Sequence, residues 1–110
     1  MVVLHAHVPI KPEARERWLS VVDVVARASR AEEACRGYRI YEDIETPNSF
    51  IFVEEWENLD GLYRHYQTPH FAEFFGALPE VLAGPPEGSV HEVASTLALN
   101  DALAAGGVSA

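Results

Sequence analysis

Cysteine, basic charge and long apolar runs are what this chain has least of, and each shortage narrows its chemistry. Cys35 is the single cysteine, so no disulfide can close within the chain. Placed where a helix should give way to a strand, it reads as a small buried hydrophobe; the sharper reading, a catalytic thiol, needs a base beside it in space. Lys and Arg together number 8 against 17 Asp and Glu, a formal net charge of −9. Such a surface repels phosphate backbones and anionic bilayers, and no basic cluster reverses the sign locally, so neither nucleic acid nor a membrane is an expected partner. No run approaches the length of a membrane-spanning helix. The opening Met1–Ile10 lacks a basic leader and a long apolar core, which makes a cytoplasmic protein the expectation. There is also no internal repeat and no dividing linker. The 110 residues, 48% apolar and 23% charged, suffice for one domain over residues 1–99 with a single core.

What is present is ordered. Val2 to Ile10 is β-branched and precedes Lys11-Pro12, which predicts a strand and then a helix with proline in its first turn. From Glu13 to about Glu33, the residues Trp18, Val21, Val22, Val25 and Ala28 recur at three- and four-residue steps, an amphipathic helix. Tyr38 to Ile44 and Phe50 to Trp56 alternate as strands around Thr46-Pro47-Asn48-Ser49, a hairpin turn. On the second arm Phe50, Phe52, Glu54 and Trp56 share one face and Ile51, Val53 and Glu55 the other. Asn58 and Thr68-Pro69 each open a helix, with Pro79 expected to kink or break the second. Ser89 to Leu99 can supply a last strand, and the small, Gly-rich tail 100–110 is expected to be flexible or docked on a partner. The order β-α-β-β-α-β, with its second helix in two pieces, is the ferredoxin-like α+β arrangement: a four-stranded antiparallel sheet with helices on one face. The other face keeps apolar side chains and no helix, so a second copy is the economical cover and a homodimer the expectation.

With these residues in place, the chain resembles the antibiotic biosynthesis monooxygenase domain family, small dimeric α/β-barrel proteins that include quinol and anthrone oxygenases. The resemblance rests on Lys11-Pro12, Ser29-Arg30-Ala31-Glu32 with Cys35 and Tyr38, and Thr46-Pro47-Asn48. It continues through Glu54-x-Trp56, His65, Thr68-Pro69-His70-Phe71 and Leu82-x-Gly84-Pro85-Pro86, in that order over about Val2 to Val93. It implies oxidation of a small electron-rich aromatic by O₂ without metal, flavin or haem, so no cofactor. It also implies a pocket between sheet and helices in each subunit. The substrate-binding lining there would come from Trp56, Tyr66, His70, Phe74 and Phe75, with His5 and His7 from the first strand. His65 would accept the phenolic proton, and Glu54 would orient a catalytic group. Haem-degrading relatives of the superfamily hold iron through a histidine at a position matched here by Phe75, and a phenyl ring cannot ligate iron.

Each candidate also has a plainer reading. His65 can be a helix histidine satisfied by a carbonyl or carboxylate, Trp56 core packing and His70 an exposed first-turn residue. Glu54, a carboxylate among Phe50, Phe52 and Trp56, must be paired or have a raised pKa, and a structural salt bridge to an arginine is an equal alternative. His5 and His7 share a strand face and could hold a metal with His65 or Glu54, but no dense ligand motif supports it. Two other functions remain open on the same scaffold: an isomerase or other small-metabolite enzyme needing no oxygen, and a non-catalytic dimeric ligand-binding or stress-response module.

Overall fold

The computed structural model describes residues 1–108. Four strands, β1 (Val2–Pro9), β2 (Cys35–Glu42), β3 (Ser49–Trp56) and β4 (Glu87–Glu92), form one sheet in the order β2-β3-β1-β4. Every neighbouring pair is antiparallel. A short 3₁₀ turn at Pro12–Ala14 leads into α1 (Arg15–Arg30), and α2 (Leu59–Tyr66) and α3 (Pro69–Val81) follow β3. This is the ferredoxin-like α+β fold, with its second helix divided.

The local chemistry that sets these boundaries is visible atom by atom. Asn58 caps α2, its side-chain oxygen accepting from the Gly61 N–H at 2.8 Å, and Thr68 caps α3 through the Phe71 N–H at 3.2 Å, with Pro69 at the first helical position. In the β2–β3 turn Asn48 takes φ 64°, a left-handed conformation that asparagine tolerates. The Glu42 carboxylate accepts from the Asn48 N–H and from both terminal nitrogens of Arg15. That fork-to-fork pairing ties the hairpin to the start of α1 and holds the Glu42 carboxyl down at about 2. Two glycines serve close approach: a Cβ on Gly61 would lie 2.5 Å from the Ala34 methyl, and one on Gly88 would lie 2.1 Å from the His5 carbonyl oxygen.

Several elements depart from the sequence reading. The first long helix is shorter than 13–33, because Pro12–Ala14 winds as 3₁₀ and Ala31 to Ala34 turn toward the sheet. The second strand begins at Cys35 and ends at Glu42, leaving Ile44 98% exposed in the turn. Pro79 does not end α3; it lies in the last turn, where the missing N–H costs a single hydrogen bond. The last strand is 87–92 rather than 89–99, its register set by pairing with β1 from Val2↔Glu92 to His7↔Glu87. Leu99–Ala105, in the tail region, forms a further helix, α4, with no buried residue.

The core lies between the helices and one sheet face. Trp18 of α1 is fully buried against Phe50, Phe52 and Phe74, with ring centroids 5.7, 5.8 and 6.0 Å away. Strand alternation then fixes everything else: Phe50, Phe52, Glu54 and Trp56 are all buried on this side, while Ile51, Val53 and Glu55 are only half-buried on the other.

Candidate functional site

A cavity of about 190 Å³ opens between the sheet and α2–α3. Leu4, Ala6 and Val8 of β1 and Phe52 of β3 form its floor, Phe71, Phe74, Phe75 and Leu78 its helical wall, and Tyr66 and Pro86 complete the rim. Glu54 is the one carboxylate in this apolar lining, beside the phenols of Tyr38 and Tyr66. Phe75, 61% exposed, stacks on Phe71 at 5.8 Å at the outer edge.

Glu54 is buried to 6% exposure because the alternation that buries Phe52 and Trp56 carries it to the same face. Its only hydrogen-bond donor among the described residues is the indole N–H of Trp56, which gives to Oε1 at 3.0 Å. It therefore neither orients a histidine nor pairs with an arginine. Burial pushes its carboxyl up to about 7; the Trp56 N–H works against that rise and the charge of Glu32 adds to it. The second oxygen, Oε2, accepts no hydrogen bond from a described residue, and it is not among the fully enclosed unpartnered atoms, which there are Trp18 Nε1 and Ser29 Oγ. Glu54 thus offers one free carboxylate oxygen to the cavity near neutral pH. The phenol of Tyr38, by contrast, is driven far up by burial and stays neutral.

His65 stands one layer back. It is 1% exposed, packed on Trp56 at 4.6 Å, Phe71 at 5.2 Å, Tyr38 at 5.8 Å and Tyr66 at 5.9 Å, and it does not line the cavity. Its Nδ1 donates to Glu32 Oε2 at 2.6 Å, and His70 Nε2 donates to the same oxygen at 2.8 Å. Burial pushes the His65 imidazole down, opposed but not overcome by the Glu32 carboxylate. The contact is therefore a hydrogen bond from a neutral ring rather than an ion pair.

Of the residues singled out from the sequence, the structure brings Glu54, Tyr66, Phe74 and Phe75 to the cavity. Trp56 is fully buried behind Glu54, and His70 lines a different depression between α1 and α3. His5 and His7 are exposed on the opposite face of the sheet, because residues of β1 alternate and Leu4, Ala6 and Val8 take the cavity side. They therefore cannot line this pocket or share a metal with Glu54 or His65. Cys35 is half-buried, its thiol pushed up by burial, the opposite of what activates a nucleophile. Glu32 carried no role in the sequence reading, although it stands in the motif before Cys35; its pairing with His65, 33 positions away, leaves no local signal.

Comparison with known proteins agrees with this fold. The family model described as antibiotic biosynthesis monooxygenase matches residues 1–77. The chain is 36% identical over 98 residues to "Uncharacterized protein sll1783" of Synechocystis sp., covering 89% of this chain and 67% of that one. It is 35% identical over 85 residues to "Putative monooxygenase YcnE" of Bacillus subtilis, covering 77% and 90%. A crystal structure described as antibiotic biosynthesis monooxygenase superposes with a TM-score of 0.81 at 25% identity, over 86% of this chain and 100% of the other. The structure of Rv0793 from Mycobacterium tuberculosis superposes equally well at 24% identity, over 88% and 98%, which bears on the fold alone. No helix among the described residues is long and apolar enough to cross a membrane. By sequence match and by fold, the chain belongs to the antibiotic biosynthesis monooxygenase family.

Proposed function

We propose that the protein is a cofactor-independent monooxygenase that oxidises a small quinol, anthrone or similar aromatic with O₂, and that Glu54, not His65, is its proton acceptor. The observation that carries this reading is a lone carboxylate, poised near pH 7, with a free oxygen in an apolar and aromatic cavity. A general base works best when its pKa lies near the operating pH, and burial is the usual way to bring a carboxylate there. Glu54 takes the phenolic proton, the electron-rich anion passes an electron to O₂, and the two radicals join at a ring carbon. For an anthrone-type methylene, the resulting peroxide loses water, so that CH₂ and O₂ become C=O and H₂O. Trp56 holds Glu54 in place through its indole N–H, and Tyr66, Phe74 and Phe75 pack against the flat substrate. At about 190 Å³, the cavity is below the roughly 300–1,000 Å³ of drug-sized sites, which favours quinols of one or two rings over three-ring anthrones.

The working unit is a homodimer in the cytoplasm. Among the described residues, the face bearing Val3, Ile51, Val53 and Tyr41 is left half-buried or exposed, and β4 and α4 bury none of their side chains. The radius of gyration is 15.8 Å against about 13 Å for a compact domain of this length, so the C-terminal arm reaches outward, as an arm that clasps a second copy would.

The test is O₂ uptake by metal-stripped protein with a panel of quinols and anthrones, corrected for spontaneous oxidation and repeated with Glu54→Gln and His65→Ala. Saturable uptake that falls by about 10²-fold or more in Glu54→Gln, and much less in a folded His65→Ala, supports the reading. Uptake unchanged by Glu54→Gln removes it. An acid–base carboxylate in an apolar site also suits proton-transfer isomerisation; turnover that persists without O₂ would assign that chemistry instead.

A further inference from the structure

We infer that Glu32, His65 and His70 form a binding site for one divalent metal ion of the zinc class, separate from the Glu54 cavity. Three segments distant in sequence converge here: the turn after α1 brings Glu32, the last turn of α2 brings His65, and the first turn of α3 brings His70. One ligand atom from each lies within 4.8 Å of the others. Two imidazole nitrogens and one carboxylate oxygen are the donor set that zinc and its neighbours prefer, with room for further ligands from water.

The hydrogen bonds present mark where the ion would go. A carboxylate only accepts, so His65 Nδ1 and His70 Nε2 both carry protons as they point at Glu32 Oε2, at 2.6 and 2.8 Å. Moving each proton to the other ring nitrogen turns both donors into lone pairs facing the same point. Ligand atoms around a tetrahedral zinc with bonds of about 2.0–2.1 Å stand about 3.4 Å apart, so Glu32 Oε2 must back away from each ring by less than about 1 Å while the two ring nitrogens, within 4.8 Å of each other, close toward that spacing. His65 is locked by the aromatic rings around it, which fixes one ligand in advance, while the less buried Glu32 and His70 can adjust.

The site also has entry routes. Glu32 lines a surface depression with Glu33, Glu57 and Arg64, and His70 lines the one between α1 and α3 beside Arg17 and Glu73. The net charge of −9 favours approach of a cation. An ion here would clamp α2 to α3 and to the α1–β2 turn. Because His65 packs on Tyr66 and Phe71, which both line the cavity, it would stiffen that wall without touching substrate.

The experiment is calorimetric titration of the EDTA-treated, dialysed full-length chain with zinc alone, alongside cobalt(II) absorption spectra and thermal melts with and without zinc. His70→Ala, Glu32→Gln and the double variant His5→Ala/His91→Ala are compared, the last because His5 and His91 lie 6.2 Å apart on the open sheet face. We expect one equivalent bound at micromolar or tighter affinity, intense cobalt bands of a low-coordinate site and a raised Tm. All three should be lost or weakened by roughly 100-fold in His70→Ala and Glu32→Gln, since even outer-shell losses cost about 10–100-fold; the double variant should keep them. Binding only near millimolar, or binding abolished by the His5/His91 change and kept by the other two, overturns the assignment and leaves the cluster a hydrogen-bonded brace. These readouts need no substrate, so they stand or fall apart from the role of Glu54.

Discussion

Replacing Glu54 by glutamine should stabilise the protein above neutral pH, and the size of the gain follows from the burial of that carboxyl. Its pKa is about 7 in the fold against 4.5 when free. The native state therefore keeps the proton over a range in which the unfolded chain has already released it. Its contribution to stability is full below pH 4.5, declines as pH rises from there, and is lost by the time the folded carboxyl ionises above 7. A displacement of that size corresponds to on the order of 3 kcal/mol at pH 8, or on the order of 10 °C in Tm for a chain of this length. His65 works in the opposite sense: its lowered pKa costs stability as pH falls below the ordinary histidine value. That cost is common to both proteins and cancels in their difference. Glutamine keeps an acceptor for the Trp56 N–H, so the two should be nearly equal at pH 4.5 and diverge steadily toward pH 8. Thermal and urea melts of both across pH 4.5–8.5 measure the divergence. A difference that does not change with pH would refute the placement of a neutral, desolvated carboxyl at the cavity, and with it the reason for choosing Glu54 as the base.

Three other substitutions test the surroundings of Glu54, the hairpin and the open sheet face. Trp56→Phe removes the one N–H that holds the Glu54 pKa down, so the decline in stability should still begin near 4.5 but continue to a higher pH, with about 1–3 kcal/mol lost to the vacated indole volume; pH-dependent urea melts read both. Arg15→Ala should return the Glu42 carboxyl from about 2 toward 4.5, removing stability that is present above pH 4.5 and lost as pH falls toward 2, with NMR titration of the Glu42 side-chain carbon as the direct check. Val53→Asp places a charge at the middle of the uncovered sheet face; light scattering should show a shift from dimer to folded monomer, and an unchanged mass would argue that this face is not the interface.

Most of the fold was legible because it is written in short-range periodicity. The alternation of Phe50, Phe52, Glu54 and Trp56 placed four side chains on one face, and all four are buried there. Asn58 and Thr68-Pro69 announced helix starts whose capping bonds are present. The misreadings at β4 and Ile44 fall where a long-range partner overrides local preference. β4 begins at Glu87 because Gly88 lets it lie against the His5 carbonyl, a requirement set by β1 more than eighty residues earlier. Pro79 stays in α3 because a proline so near a helix end forfeits little, and Ile44 drops out of β2 because the Arg15–Glu42 fork closes the hairpin before it.

The ingredients of the site were legible in the sequence, and the direction in which each side chain faces was not. Residue type made His65 the natural base, since an imidazole titrates near neutral pH without help. Whether it faces the cavity depends on the rotation of α2, which here packs Gly61 against Ala34 and directs the ring to Glu32 at 2.6 Å. Glu54 looked like the supporting residue because a glutamate on its own is ionised well below pH 7. Its pKa is raised by the surrounding burial, a property of Phe52, Tyr38 and the helices packed over them rather than of the Glu54-x-Trp56 motif. The same burial sets the cost of the base: a carboxyl dry enough to be half-protonated near pH 7 is also one whose ionisation weakens the fold. Activity should therefore rise with pH over the range in which stability falls, and Glu54→Gln should remove the Glu54 part of both trends together.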